Sequence, residues 1–187
     1  IDTTAGAVAD ALNDAAKTEV KVEGDGWNMV LPKEIVKGAT GVVSMGAKAL
    51  SAADIDALPQ AVKDKVAGKA VFSLSLTDSN GKVTFAGKNV TVTLPYVLKS
   101  GESASDVKLF YIDDSNVIHE VVATYDEASK TVTFSTDHFS YWYIDATSSG
   151  SSSSGGGSSI GLIIGIVVAV IAVAAIVGVV VVKKKKA

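Results

Sequence analysis

The chain contains no cysteine. It therefore forms no disulfide and performs no thiolate chemistry, although a domain outside the cell can fold without bridges, so the compartment stays open on this ground. It also lacks arginine: all 17 of its basic residues are lysine, against 20 acidic ones, for a formal charge of −3. Setting aside the four lysines near the end leaves 13 against 20, so the rest of the chain carries −7. Nucleic-acid binders need basic patches, usually with arginine, and an acidic surface chiefly favours solubility. Nucleic acid is excluded as a partner on that balance. Histidine is scarce, with His119 and His138 the only two, and without thiolates they predict no zinc site. No glycine-rich phosphate loop precedes a helix, and no Ser/His/Asp order stands out. The sequence thus predicts no metal, no cofactor and no small-molecule substrate.

The chain is not short of one thing, an uninterrupted apolar run. Ile160 to Val182 contains 23 residues without a charge or a side-chain hydrogen-bonding group. As a helix it would measure roughly 34 Å, against about 30 Å of bilayer hydrocarbon. A buried helix in so small a domain would be shorter and polar on one face. Fifteen of the 23 are Val or Ile, which favour strands in water, where such a run would aggregate. In lipid a single span can satisfy its backbone only as a helix. Residues 160–182 are therefore expected to form a transmembrane helix, with the lipid bilayer as partner. Lys183, Lys184, Lys185 and Lys186 follow at once, and no other Lys or Arg lies between Thr131 and Val182. The positive-inside rule places the 183–187 tail in the cytoplasm and everything before the span outside. A secretory signal peptide is expected for that orientation, and a chain opening on Ile1 reads as processed, or as the C-terminal piece of a longer precursor.

Before the span, residues 147–159 (TSSGSSSSGGGSS) form a linker without the apolar side chains that offset ordering entropy. As a coil it reaches roughly 20 Å. Its serines are also potential O-glycan acceptors, with plain spacing the simpler use. Residues 1–146 suffice for one domain with a core. It opens with a helix expected from Thr3 or Thr4 through Ala15, on the spacing of Ala7, Val8, Ala11, Leu12 and Ala15. EVKVEGDGWNMVLP reads as a hairpin turning at Gly24-Asp25-Gly26. PKEIVKG is a short helical turn ending at Gly38, and GVVSMGAKAL a strand. SAADIDALPQAVKDKVAG carries a Ser51 cap with Asp54 three residues on, then helical spacing broken at Pro59. From Gly68 the pattern is strand throughout: AVFSLSLT, KVTFAG, NVTVTLPY, a hairpin around Asp113 to Asn116, a second turning at Asp126 to Lys130, and HFSYWYID. About eight or nine strands with turn signals between them predict a mainly β fold, an antiparallel β-sandwich with short helices near the N-terminus. Both faces of the last strand are apolar or aromatic, which predicts a central position.

Residues Val20 to Asp145, about two thirds of the chain, resemble a β-sandwich module of prokaryotic cell-surface proteins, including those with S-layer homology domains. The segments NMVLPKEIV, KAVFSLSLTDSNGK, GKNVTVTLPYVLKSGESASDVKLFYIDD and ATYDEASKTVTFSTDHFSYWYI carry the likeness. More distantly the region is similar to the ZU-type sandwiches of netrin receptors and ankyrins. A C-terminal span after a Ser/Gly tract resembles the anchoring of archaeal surface proteins, and no sortase-type LPxTG signal is present, LPQAV at Leu58 being the nearest string. The resemblance implies a structural or adhesive exterior module, S-layer-associated or adhesin-like, with no substrate.

The ZU likeness also implies an alternative. Some ZU-type domains cleave themselves between Phe and Ser of an HFS motif, here Phe139 and Ser140. Ser140 would attack the preceding carbonyl with His138 as base, giving an ester that water opens; this needs an activated hydroxyl and a distorted peptide. Read as strand, His138 and Ser140 share a face about 7 Å apart. The competing reading makes HFS simply the closing strand. Asn89-Val90-Thr91 is the single N-x-S/T sequon, and with Val90 inward Asn89 faces out, as an N-glycan requires; occupancy stays open. Asp113, Asp114 and Asn116, or Asp78 and Asn80, lack EF-hand spacing and read as turn residues. On the span, Gly161, Gly165 and Ala169 recur every four residues, as do Ala174 and Gly178, a pattern that permits close helix approach and self-association. The partners expected are thus lipid, further copies and envelope-layer proteins. The whole reads as a single-pass cell-surface protein, N-terminal domain outside.

Overall fold

Alternating apolar residues generate the strands, and the computed structural model, which describes residues 13–147 and Gly178–Val181, arranges them in two sheets. β1 (Glu19–Glu23) and β2 (Asn28–Pro32) form the expected hairpin, with Val20, Val22, Met29 and Leu31 inward. Its turn requires glycine twice. Gly26 has φ 75°, and a Cβ on Gly24 would stand 2.1 Å from the Trp27 indole. A short helix, α1 (Lys33–Lys37), follows directly and buries Ile35 and Val36.

The strands that follow are β3 (Ser44–Ala49), β4 (Ala70–Asp78), the two-residue β5 (Gly81–Lys82), β6 (Val90–Pro95), β7 (Lys108–Ile112), β8 (Ile118–Val121), β9 (Ala123–Asp126), β10 (Thr131–Thr136) and β11 (Tyr141–Asp145). Gly178–Val181 adds β12. The first sheet has the order β12-β1-β2-β6-β10-β9 and the second β3-β4-β11-β7-β8, with β5 on β4. Every pairing is antiparallel except β12 on β1, which is parallel, Val20 opposite Gly178 and Glu23 opposite Val181. The fold is mainly β, with antiparallel sheets and few helices.

The inner faces share one apolar cluster. Met29, Leu31, Val92, Leu94 and Val132 of the first sheet meet Leu74, Leu109, Trp142 and Ile144 of the second. The Phe134 and Trp142 rings lie 4.5 Å apart across the interface. Each such side chain contributes about 1.5–3 kcal/mol when fully buried. A second cluster covers the outer face of the second sheet. There α2 (Ala52–Asp56) and α3 (Gln60–Val66) bring Leu58, Val62 and Val66 against Val71, Ile112 and Tyr143. The predicted cap is present in full: Ser51 Oγ accepts from the Asp54 amide, and the Asp54 carboxylate accepts from the Ser51 amide. With Lys48 also donating to it, Asp54 titrates down at about 2. β11 is central, as its two apolar faces predicted.

Three expectations differ. Of KVTFAG only Lys82 is strand, within Gly81–Lys82, and the segment then turns through left-handed backbone at Ala86 (φ 50°) and Gly87 (φ 73°), although Phe85 is still buried. The last strand begins at Tyr141 rather than His138. Ala15 lies in a turn, so the N-terminal helix does not reach it; residues 1–12 lie outside those described. So does the linker after Thr147, and of the expected span 160–182 only Gly178–Val181 is described, as extended chain rather than helix. Among the described residues no helix is long and apolar enough to cross a membrane.

Candidate functional site

His138, Phe139 and Ser140 sit in the crossover from β10 in the first sheet to β11 in the second. The chain must leave one ladder and enter the other here, so its backbone groups need side-chain partners. Thr136, the one buried polar residue among those described, supplies two bonds. Its hydroxyl donates to the His138 carbonyl at 2.8 Å and accepts from the His138 amide at 3.2 Å. The Ser140 hydroxyl donates to the Ile112 carbonyl on β7, and the Ser140 carbonyl accepts from the Leu74 amide on β4 at 3.3 Å. Phe139 turns into the core, edge-on to Phe85 with ring centroids 4.9 Å apart.

The structure does not bring His138 and Ser140 together as base and nucleophile. The imidazole Nδ1 lies 2.9 Å from the Asp137 carboxylate, and Nε2 is buried with no hydrogen-bond partner among the described residues. The ring packs at 4.5 Å on Tyr111 and 5.7 Å on Trp142. A serine nucleophile needs a base within hydrogen-bond reach; Ser140 instead has its proton committed to a backbone carbonyl. No peptide bond in the described residues is cis, and neither Phe139 nor Ser140 has positive φ. In this geometry the motif braces a crossover.

Sequence reasoning missed the aromatic stack around this motif. Register sets Trp142 opposite Tyr111 and Tyr111 opposite His119 on one face. His119 stacks on Tyr111 at 4.6 Å and its Nε2 lies 2.8 Å from Asp113 Oδ2. Both histidines therefore flank one tyrosine, each beside an aspartate. The signal was present in the alternation of FYI and IHEV, but which strand lies beside which cannot be read from either alone.

The acidic turns serve their own backbone. Asp113 Oδ1 accepts from the Ser115 and Val117 amides, and its carboxyl is held below the usual range by His119 first and then by those amides. Asp78 accepts from the Thr40 and Asn80 amides, which lower it likewise. Beside Asp78 an open groove of about 280 Å³ runs between α1 and the 82–88 loop, lined by Glu34, Ile35, Lys82, Phe85 and Lys88 among others. Asn89 is exposed immediately before β6, with Val90 buried, so the sequon faces solvent. Gly161, Gly165, Ala169 and Lys183 to Lys186 lie outside the described residues.

At the end of β11 a further cluster forms. Asp145 pairs with Lys69 and accepts at Oδ1 from the Thr147 hydroxyl (2.7 Å) and amide (3.1 Å). Burial opposes its charge, yet Lys69 and Thr147 outweigh that and hold the carboxyl below its ordinary value. Burial, with Glu102 and Asp145 nearby, pushes the Tyr96 hydroxyl well above the usual phenol range, and that hydroxyl donates to Glu102 at 2.8 Å. No protein-family model matches this chain, and no curated protein matches it.

Proposed function

We propose that the chain is a single-pass cell-surface protein. It presents a β-sandwich outside the membrane on a Ser/Gly stalk, and its role is structural or adhesive rather than catalytic. One observation carries this reading: an uncharged run of 23 residues, 160–182, long enough to cross hydrocarbon and followed at once by four lysines. The outward-facing Asn89 suits an exterior surface, since a glycan there meets no core residue. The braced HFS crossover favours a role in holding the two sheets together. Partners are then the bilayer, envelope-layer proteins and, through Gly161, Gly165 and Ala169, further copies.

The anchored state requires one rearrangement. Residues 178–181 cannot lie beside β1 outside the cell and also next to a cytoplasmic lysine tail. In lipid they leave the β1 edge and complete the helix. The test is the intact chain in its native membrane. We expect it to resist carbonate extraction and its terminal lysines to be shielded from protease added outside. Release by carbonate, or cleavage of the tail in sealed cells, overturns the reading.

A further inference from the structure

The tip of the β7–β8 hairpin and the point where the chain leaves the domain lie at opposite ends of the second sheet. β7 runs from Lys108, opposite Asp145, to Ile112, opposite Tyr141. The hairpin tip, 113–117, therefore lies at the far end from Asp145, and Asp113 holds it rigidly through two amides and His119. A pull between that tip and the stalk draws β7 and β11 in opposite directions, each along its own axis. Hydrogen bonds of an antiparallel pair run perpendicular to the strands. An axial pull strains the whole ladder together, whereas a pull across the sheet opens it strand by strand.

The exit strand is the one best placed to resist. β11 is held on both sides, by four paired residues of β4 and five of β7, and Trp142 at its centre is 1 % exposed. Lys69, just before β4, pairs with Asp145 at the exit itself, and Thr147 bonds the other oxygen of that carboxylate. Sliding β11 outward must break the Lys69–Asp145 pair, while Thr147 moves with Asp145 and holds its carboxylate in place. The domain's other entrance has the same polarity. β1 begins beside Pro32, the end tied through α1 and the Thr40 amide to Asp78 at the far end of β4.

We propose that this domain carries tension from its distal end to its membrane stalk, with β11 as the strut and Lys69–Asp145 as the latch at the exit. The source of the tension rests on the anchored reading; the mechanical asymmetry does not. Because the natural chain has no cysteine, handles can be placed freely. The full chain in detergent micelles is pulled between Ser115→Cys and Ser149→Cys, just past the exit of β11, and separately between Lys48→Cys and Glu120→Cys, which lie on the two edge strands of the same sheet. We expect the axial pair to unfold at the higher force, and Lys69→Ala to lower that force while leaving the cross-sheet force unchanged. Equal forces in the two directions, or a Lys69→Ala loss of the same size in both, overturn the proposal. The carbonate and protease outcomes are independent of either result.

Discussion

Thr136 shows what one hydroxyl does when a chain changes sheets. It is 5 % exposed and bonds both the amide and the carbonyl of His138. Thr136→Val keeps the shape and leaves two backbone groups without that partner, a cost of about 1–3 kcal/mol per buried group stranded. Urea unfolding should show the midpoint fall for Thr136→Val and largely recover for Thr136→Ser; an unchanged midpoint for the valine variant would remove the bracing role. Asp113 gives a prediction in pH. Its folded pKa lies below the unfolded value of about 3.9. Its contribution is therefore present above the unfolded pKa and lost as pH falls through the folded one. Asp113→Asn should lower the neutral plateau and flatten the acid limb of the stability curve, the two proteins converging towards about pH 2, read from thermal midpoints between neutral pH and about pH 2.

Among the elements, β11 was the most legible. Trp142 and Ile144 on one face and Tyr143 on the other announced a strand covered on both sides, and it lies between β4 and β7. The β1–β2 hairpin, the Ser51 cap and the two turns at Asp113 and Asp126 were equally open to reading, because each is fixed by residues within a few positions. What covers β11 was not. The outer cluster joins Val62 and Val66 to Tyr143, nearly eighty positions on, and no local pattern encodes that distance. The crossover failed for a related reason. HFSYWYID alternates well enough to pass as strand from its first residue, and only the change of sheet, a long-range fact, takes His138 to Ser140 out of the ladder. The outer cluster is testable. Val66→Ala removes two buried methyl groups and should cost about 2 kcal/mol, while Val42→Ala, at an exposed site, should stay within about 0.5. Equal effects of the two would mean that α3 adds nothing to the fold.

Taken as a whole, the molecule holds one segment with two incompatible partners. The valines near its end pair in parallel with β1, as Val-rich chain does where strands are available, and on the anchored reading we propose the same residues complete a span of bilayer length. The choice has a direct readout, since β12 covers the open edge of β1 and the bilayer would uncover it. The β1 amides that face away from β2 depend on β12 alone for protection from exchange. We expect them to exchange as fast in the full chain inserted in nanodiscs as in a chain ending at Ser159, while the β11 amides, paired on both sides, stay protected in both. Slow exchange along Val20 to Glu23 in the nanodisc sample alone would mean that the valines stay on the sheet and that the stalk does not end in lipid. Fast exchange in both, with β11 unchanged, makes the edge strand a feature of the chain out of the membrane and leaves β1 as an uncovered edge in the inserted chain, the kind of edge a second extended chain can join.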